Sequence, residues 1–232
     1  MRRKPGRTIF RFLWKAVAAF IGLSIFAVAL YRFVPVYVTP LMVIRCVEQL
    51  LEGKKLQMQH TWVAIEAISP HLVLAVVCSE DQNFKNHFGF DLPAIERSFE
   101  AFRQGTKKLR GASTISQQTA KNVFLLPYRS WVRKGFEVYF TLLIEALWSK
   151  ERILEVYLNS IEMGDGVYGA EAASRHYFKS NAQGLARTQA AAIAAVLPNP
   201  LKYNANPPDA YIKRRIHWIM GQMHRTGTIR FQ

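Results

Sequence analysis

The sequence predicts a mainly α-helical domain preceded by one N-terminal transmembrane helix. Three observations lead there. Helix-start signals recur along the chain, each ahead of a run with helical apolar spacing. No segment alternates apolar and polar residues over strand length, and no internal repeat appears. A long charge-free stretch lies close to the N-terminus. With 232 residues, half hydrophobic and a fifth charged, the chain has enough apolar matter for one good-sized domain plus an appendage, and a sizeable core rather than disorder is expected.

Residues 1–15 read as a basic cytoplasmic tail. Arg2, Arg3, Lys4, Arg7, Arg11 and Lys15 fall there, and no acid precedes Glu48. Residues 16–38 read as a membrane anchor. "AVAAFIGLSIFAVALY", Ala16 to Tyr31, carries no charge in 16 residues, and its flanks extend the apolar span enough to cross roughly 30 Å of hydrocarbon. Arg11, Lys15 and Arg32 can snorkel to the interfaces. The bulky "YRFVPVYVTP" lacks the small residues of a signal-cleavage site, and Trp14, Tyr31 and Tyr37 stand where interfacial aromatics belong. The basic end predicts a cytoplasmic N-terminus and an extracytoplasmic remainder, the topology of a single-pass protein. Past the tail, 25 bases still face 16 acids within a net charge of +15. Outside the cytoplasm this basicity suits anionic lipid or phosphate rather than nucleic acid.

Residues 39–60 form a membrane-proximal helix, "TPLMVIRCVEQLLEG", with Thr39 as cap, Pro40 in the first turn and Gly53 as stop. Residues 61–232 form the main domain. Ser69 and Pro70 open "HLVLAVVCSED"; Asp91 and Pro93 open "LPAIERSFEAF"; Ser113 opens "TISQQTAKNVFL". A helix runs from Trp131 to Trp148, and Ser149 caps "KERILEVYL". After a reset at "EMGDGVYG" come "YGAEAASRHYF", "TQAAAIAAVL" and "DAYIKRRIHWIMGQM", separated by Gly and Pro. One polar stretch, 103–113, holds Arg103, Lys107, Lys108 and Arg110, either a solvated loop or a basic flap over an anionic ligand. Cys46 and Cys78 form neither a disulfide framework nor a metal motif, and whether they are oxidised is open.

Three groups of residues could carry chemistry. Glu80 ends an apolar helix, so its carboxylate is partly desolvated, which suits a general acid or base; a helix-end acid with a local hydrogen bond is the plainer reading. Glu80, His87 and Asp91 could also ligate a metal, although Gly89 and the lack of a second histidine argue against it. On a helix from Thr114, Gln117 and Lys121 share a face with Gln118 beside them, a donor-rich strip suited to sugar hydroxyls or phosphate, or an exposed polar face. Arg133 and Glu137 stand one turn apart on an apolar helix with Arg129 just before it. With Lys121 they describe a pocket for a pyrophosphate, or an ordinary surface ion pair.

Together these stretches resemble the family 51 glycosyltransferases, the peptidoglycan glycosyltransferases. "EDQNFKNHFGFD" is similar to that family's first signature and "GASTISQQTAKNVF" to its second. "RKGFE", "KERILEVYLNSIEMG" and "GAEAASRHYF" are similar to its third, fourth and fifth. The five lie in order over roughly residues 60 to 200. The sequence departs from the family at Ala112 and Ser116, where glycine and threonine are usual, and at "YFKSNAQG", which lacks a glycine. The resemblance implies a lysozyme-like helical glycosyltransferase domain with a membrane-associated jaw. It implies a polymerase that elongates glycan chains from lipid II, passing the undecaprenyl-pyrophosphate-linked strand to the GlcNAc 4-hydroxyl of lipid II. No Ser-x-x-Lys nucleophile motif is present, so no transpeptidase activity is expected. Glu80 would be the general base and Glu137 the second catalytic acid. Lys121, Arg129 and Arg133 would neutralise the pyrophosphate, and Ser113, Thr114, Gln117, Gln118 and Asn122 would line the sugar and phosphate sites. Asp81, Phe84 and His87 would shape the wall around Glu80. No cofactor is required; a divalent cation, Mg or Mn, on the pyrophosphate fits the family. The implied partners are lipid II, the nascent strand, membrane lipids and other cell-wall synthesis or division proteins. A lysozyme-like peptidoglycan-cleaving enzyme and a non-catalytic membrane-anchored scaffold are the alternatives.

Overall fold

The computed structural model describes residues 5–105, 113–128, 130–229 and 231. The chain divides into two compact units, Met1–Pro35 and Val36–Gln232. The first is built on α1 (Pro5–Tyr31), whose segment Phe10–Tyr31, 22 residues, is long and apolar enough to cross a membrane. Its side chains are mostly exposed, Phe12, Trp14, Leu23 and Phe26 among them, as expected of a helix whose solvent is lipid. The one N-terminal apolar helix is consistent with a single-pass anchor.

The second unit is mainly helical, and the polar starts read from the sequence are where its helices begin. Thr39, Ser69 and Asp91 cap α2 (Pro40–Leu51), α3 (Pro70–Glu80) and α4 (Leu92–Arg103), each side chain accepting a first-turn amide. Ser130, Ser149 and Asp209 do the same for α6 (Trp131–Leu147), α7 (Lys150–Ser160) and α10 (Ala210–Thr226). Helix α5 (Ile115–Phe124) begins one residue later than the sequence reading, because Thr114 rather than Ser113 closes a capping box with Gln117. Helices α8 (Gly169–Phe178) and α9 (Arg187–Val196) complete the set.

Packing follows side-chain size. Helix α9 is buried from Ala190 to Val196 and offers mostly alanine, so α3 and α10 can lie close against it. Helix α3 is buried without break from Leu72 to Cys78, and α10 contributes Ile212, Ile219 and Met223 to the same core. Helices α5, α6 and α7 form a second group, in which Ile115, Ile144, Leu154 and Tyr157 are fully covered. Each fully buried large aliphatic side chain is worth about 1.5–3 kcal/mol.

The sequence reading foresaw no strands, and a small sheet is present in the order β1–β3–β2. Strand β1 (Gln59–His60) runs parallel to β3 (Val167–Tyr168), and β2 (Glu162–Gly164) runs antiparallel to it. Two or three residues per strand are too few for alternation to register. The turn into β3 needs Gly166: its φ is +66°, and a Cβ there would meet the Gln57 carbonyl oxygen at 2.2 Å. Both cysteines are free thiols, Cys78 buried and Cys46 half-buried.

Candidate active site

Because α3 runs through the core, its last residue reaches the edge of a cleft. Glu80 is there, its side chain 13% exposed. One carboxylate oxygen, Oε2, accepts from Gln118 Nε2 at 3.1 Å. The other, Oε1, accepts from Ser79 Oγ at 3.2 Å and has Arg215 Nη2 at 3.6 Å. The Gln118 amide is itself oriented, since its oxygen accepts from the Tyr157 hydroxyl at 3.2 Å. Complete burial drives the Tyr157 phenol well above its ordinary pKa, so it stays a hydroxyl and donates. A cavity of about 180 Å³ adjoins Glu80, with Gln82, Asp91, Arg97 and Ser113 in its lining.

Asp81, next in the chain, faces inward. His87 Nε2 donates to its carboxylate at 3.0 Å, and the Ile115 amide donates to the same group at 3.0 Å. The end of α3 is thereby fastened to the first turn of α5, where an anion also meets the helix dipole. Phe84 is fully buried, edge-on to His87 and 4.6 Å below the Lys150 ammonium. Thr114 Oγ1 donates to the Gly89 carbonyl at 2.7 Å. That turn tolerates only glycine: at φ +78° a Cβ would stand 2.7 Å from Thr141 Cγ2. Behind α5, Ser116 donates to Glu145, which pairs with Lys150 at 2.7 Å. The residues expected to wall the base are therefore the ones that hold α3, α5, α6 and α7 in register.

The donor strip on α5 differs from the sequence reading in one respect. Gln117 is buried, and its side-chain oxygen accepts from the Thr114 amide at 3.0 Å. It turns into the cap, and the accessible pair is Gln118 with Lys121. Ser113 is exposed at the start of the strip, and Asn122 is buried with its Nδ2 unpartnered among the described residues.

On α6 the second carboxylate is 4% exposed. Glu137 accepts from Arg133 Nη1 at 2.9 Å and pairs through its other oxygen with Lys134. Lys121 is lowered from its ordinary pKa chiefly by burial, partly offset by attraction to Glu137 and, more weakly, to Glu80. Its ammonium thus feels both carboxylates, and Arg133 and Lys134 repel it. The expected members Glu80, Gln118, Lys121, Arg133 and Glu137 come together. Arg129 lies outside the described residues, as do Lys107, Lys108 and Arg110 of the basic stretch. Three contributors escaped the sequence reading. Lys134 could have been found from its i, i+3 spacing to Glu137. Tyr157 and Arg215, distant in sequence, left no local signal.

The metal alternative is not supported by the geometry. His87 is committed to Asp81 and Asp91 caps α4, and no group of three or more His, Cys, Asp or Glu side chains suited to a metal occurs among the described residues.

A carboxylate held at a cleft edge, facing cations that outnumber a second carboxylate, suits proton abstraction beside a departing polyanion. Comparison with known proteins agrees. The Transglycosylase family model matches residues 47–224. A biosynthetic peptidoglycan transglycosylase of Bacteroides thetaiotaomicron is 54% identical over 96% of this chain and 90% of its own length. Those of Pseudomonas aeruginosa and Haemophilus influenzae are 49% and 48% identical, over 95% and 93% of this chain and 95% and 88% of their own lengths. The chain belongs to the transglycosylase family, among the biosynthetic peptidoglycan transglycosylases that polymerise glycan strands in cell-wall synthesis.

Proposed function

We propose that the chain elongates glycan strands from lipid II, with the growing undecaprenyl-pyrophosphate-linked strand as donor and the GlcNAc 4-hydroxyl of a new lipid II as acceptor. Glu80 takes the proton from that hydroxyl as its oxygen attacks the anomeric carbon, and the pyrophosphate leaves with the bonding pair. The observation that carries this assignment is the setting of Glu80: each oxygen is oriented by one neutral donor, which leaves acceptor capacity on the carboxylate, and the Lys121 ammonium is attracted by both Glu80 and Glu137. A positioned base contributes roughly 10²- to 10⁴-fold.

On the donor side Lys121, Arg133 and Lys134, with Arg129, meet the pyrophosphate as its charge develops. Guanidinium forks suit its paired oxygens. Glu137 is the second catalytic acid; its ion pairs hold Arg133 and Lys134 together on one side of α6. Ser113 and Gln118 contact sugar or phosphate, while Thr114 and Gln117 keep the turn that presents them.

Such a substrate has to be met at the lipid surface. Leu92, Ile95, Phe99 and Phe102 form an exposed apolar stripe on α4, and Trp131 at the start of α6 is 93% exposed. Exposed apolar patches of this kind on a folded surface mark contact sites, and here they are the membrane-associated jaw. With an anchor at 16–38 and a cytoplasmic N-terminus, the domain acts on the outer face of the inner membrane.

The deciding experiment is Glu80→Gln assayed on lipid II and, separately, on finished peptidoglycan. The parent chain is expected to polymerise the first and leave the second uncut; the variant should fold but make no strands. Long strands from the variant would sink the base assignment, and cleavage of finished wall would favour the lysozyme-like reading.

A further inference from the structure

We propose that Arg215 is a positioning residue for Glu80, holding the carboxylate in one orientation for proton transfer; the inference rests on Glu80 as the base. On α10, Ile212 and Ile219 are fully buried, and Arg215 lies three residues from one and four from the other. Helical spacing thus puts it on the flank of the buried stripe, toward the end of α3. Its Nη2 donates to Ser79 Oγ at 3.0 Å, and Ser79 Oγ donates to Glu80 Oε1 at 3.2 Å. The Ser79 hydroxyl has one proton and two acceptors in reach, Glu80 and the Ala194 carbonyl at 3.4 Å. Occupying a Ser79 lone pair from the α10 side constrains that choice.

Arg215 itself stops 3.6 Å from Oε1, beyond a good hydrogen bond. This spacing matters. A bidentate guanidinium, added to the bonds from Gln118 and Ser79, would fill the lone-pair positions of both oxygens and leave none for the acceptor hydroxyl. Approach by one nitrogen, through a hydroxyl, orients the group and leaves it usable. The other groups around Glu80 do different work: Gln118 with Tyr157 behind it holds Oε2, Lys121 is shared with Glu137, Asp81 is turned to His87, and Asp91 and Arg97 line the adjoining cavity. Among the described residues Arg215 alone places a cationic nitrogen within 4.0 Å of the Glu80 carboxylate.

The test uses the full-length chain in detergent with fluorescent lipid II. Arg215→Met keeps the alkyl stem and removes the charge. It is expected to lower kcat about ten- to a hundredfold, the scale of one hydrogen bond to a charged group, with KM and melting temperature little changed. Arg215→Lys should restore a large part of kcat, and Ser79→Ala should lose part of it. Combined with Glu80→Gln, Arg215→Met should add no further loss to the residual rate. Full kcat in Arg215→Met, a loss carried by KM, or an undiminished further loss in the double variant each overturns the inference. Should Arg215→Met lack a cooperative melt, Ser79→Ala decides, and full kcat there overturns it. Polymerisation by Glu80→Gln alone would instead refute the base assignment.

Discussion

Lys121 offers the sharpest separation of stability from function. Its side chain is half-buried, and the cost of that burial is the main influence on its protonation. Among the described residues Glu137 has ion pairs to Arg133 and Lys134 without it. Replacing Lys121 with methionine therefore strands no unpaired acid, removes a desolvation cost and relieves repulsion from two neighbouring cations. The fold is expected to gain about 1 kcal/mol, which for a domain of this size raises the melting temperature by roughly 2–4 °C. The sign depends on pH in a defined way. The folded-state pKa lies below the unfolded value of 10.5, so the cost is fully present at neutral pH. It fades as pH climbs through the window below 10.5, and the gain of the variant should fade with it. Polymerisation should meanwhile fall roughly 10²- to 10³-fold, the usual loss on removing one preorganised stabiliser of developing charge. Melts at neutral and alkaline pH, paired with strand synthesis from lipid II, check both halves. A lower melting temperature at neutral pH, or near-normal synthesis, would refute the reasoning.

Other outcomes follow from the geometry. Tyr157→Phe frees the Gln118 amide to turn over, and turnover should drop roughly three- to tenfold; a rate equal to the parent's would show that Gln118 needs no such support. Gly89→Ala demands a left-handed alanine 2.7 Å from Thr141 Cγ2. It should cost about 2–4 kcal/mol, read as a melting temperature lower by roughly 5–15 °C. Burial lowers the His60 imidazole below its usual 6.5 despite the bond to the Asn159 carbonyl. The folded state then binds fewer protons than the unfolded one between that lowered value and 6.5, so stability should fall as pH drops through this window. His60→Gln should flatten that acid-side decline, and an unchanged profile would rule His60 out as its source.

What the sequence could show depended on the range of the interaction. Caps act over three residues, so Thr39, Ser69, Asp91 and Ser149 could be read directly, and the helices followed. The pair Arg133 and Glu137 was visible for the same reason. The burial of Glu137 was inferable from the apolar helix around it. Gln117 misled because an amide at the third helical position can serve either the cap or the face, and the choice depends on Thr114 standing one residue beyond Ser113. The sheet was hidden by its brevity. The setting of Glu80 was the least legible part, since its oxygens are held from α5 and α10, and neither helix signals toward α3 in its own sequence.

The reach of α10 to the base also sets a condition on when the protein can first act. Residues leave the ribosome in order, and Arg215 follows Ser79, its partner, by 136 positions. At typical elongation rates that interval is on the order of ten to thirty seconds. A nascent chain made through α3 thus displays Glu80 well before Arg215 exists. On the proposed role of Arg215, a stalled or clipped chain lacking α10 would carry Glu80 without that cation beside it, and is expected to make strands more slowly than a chain that includes α10.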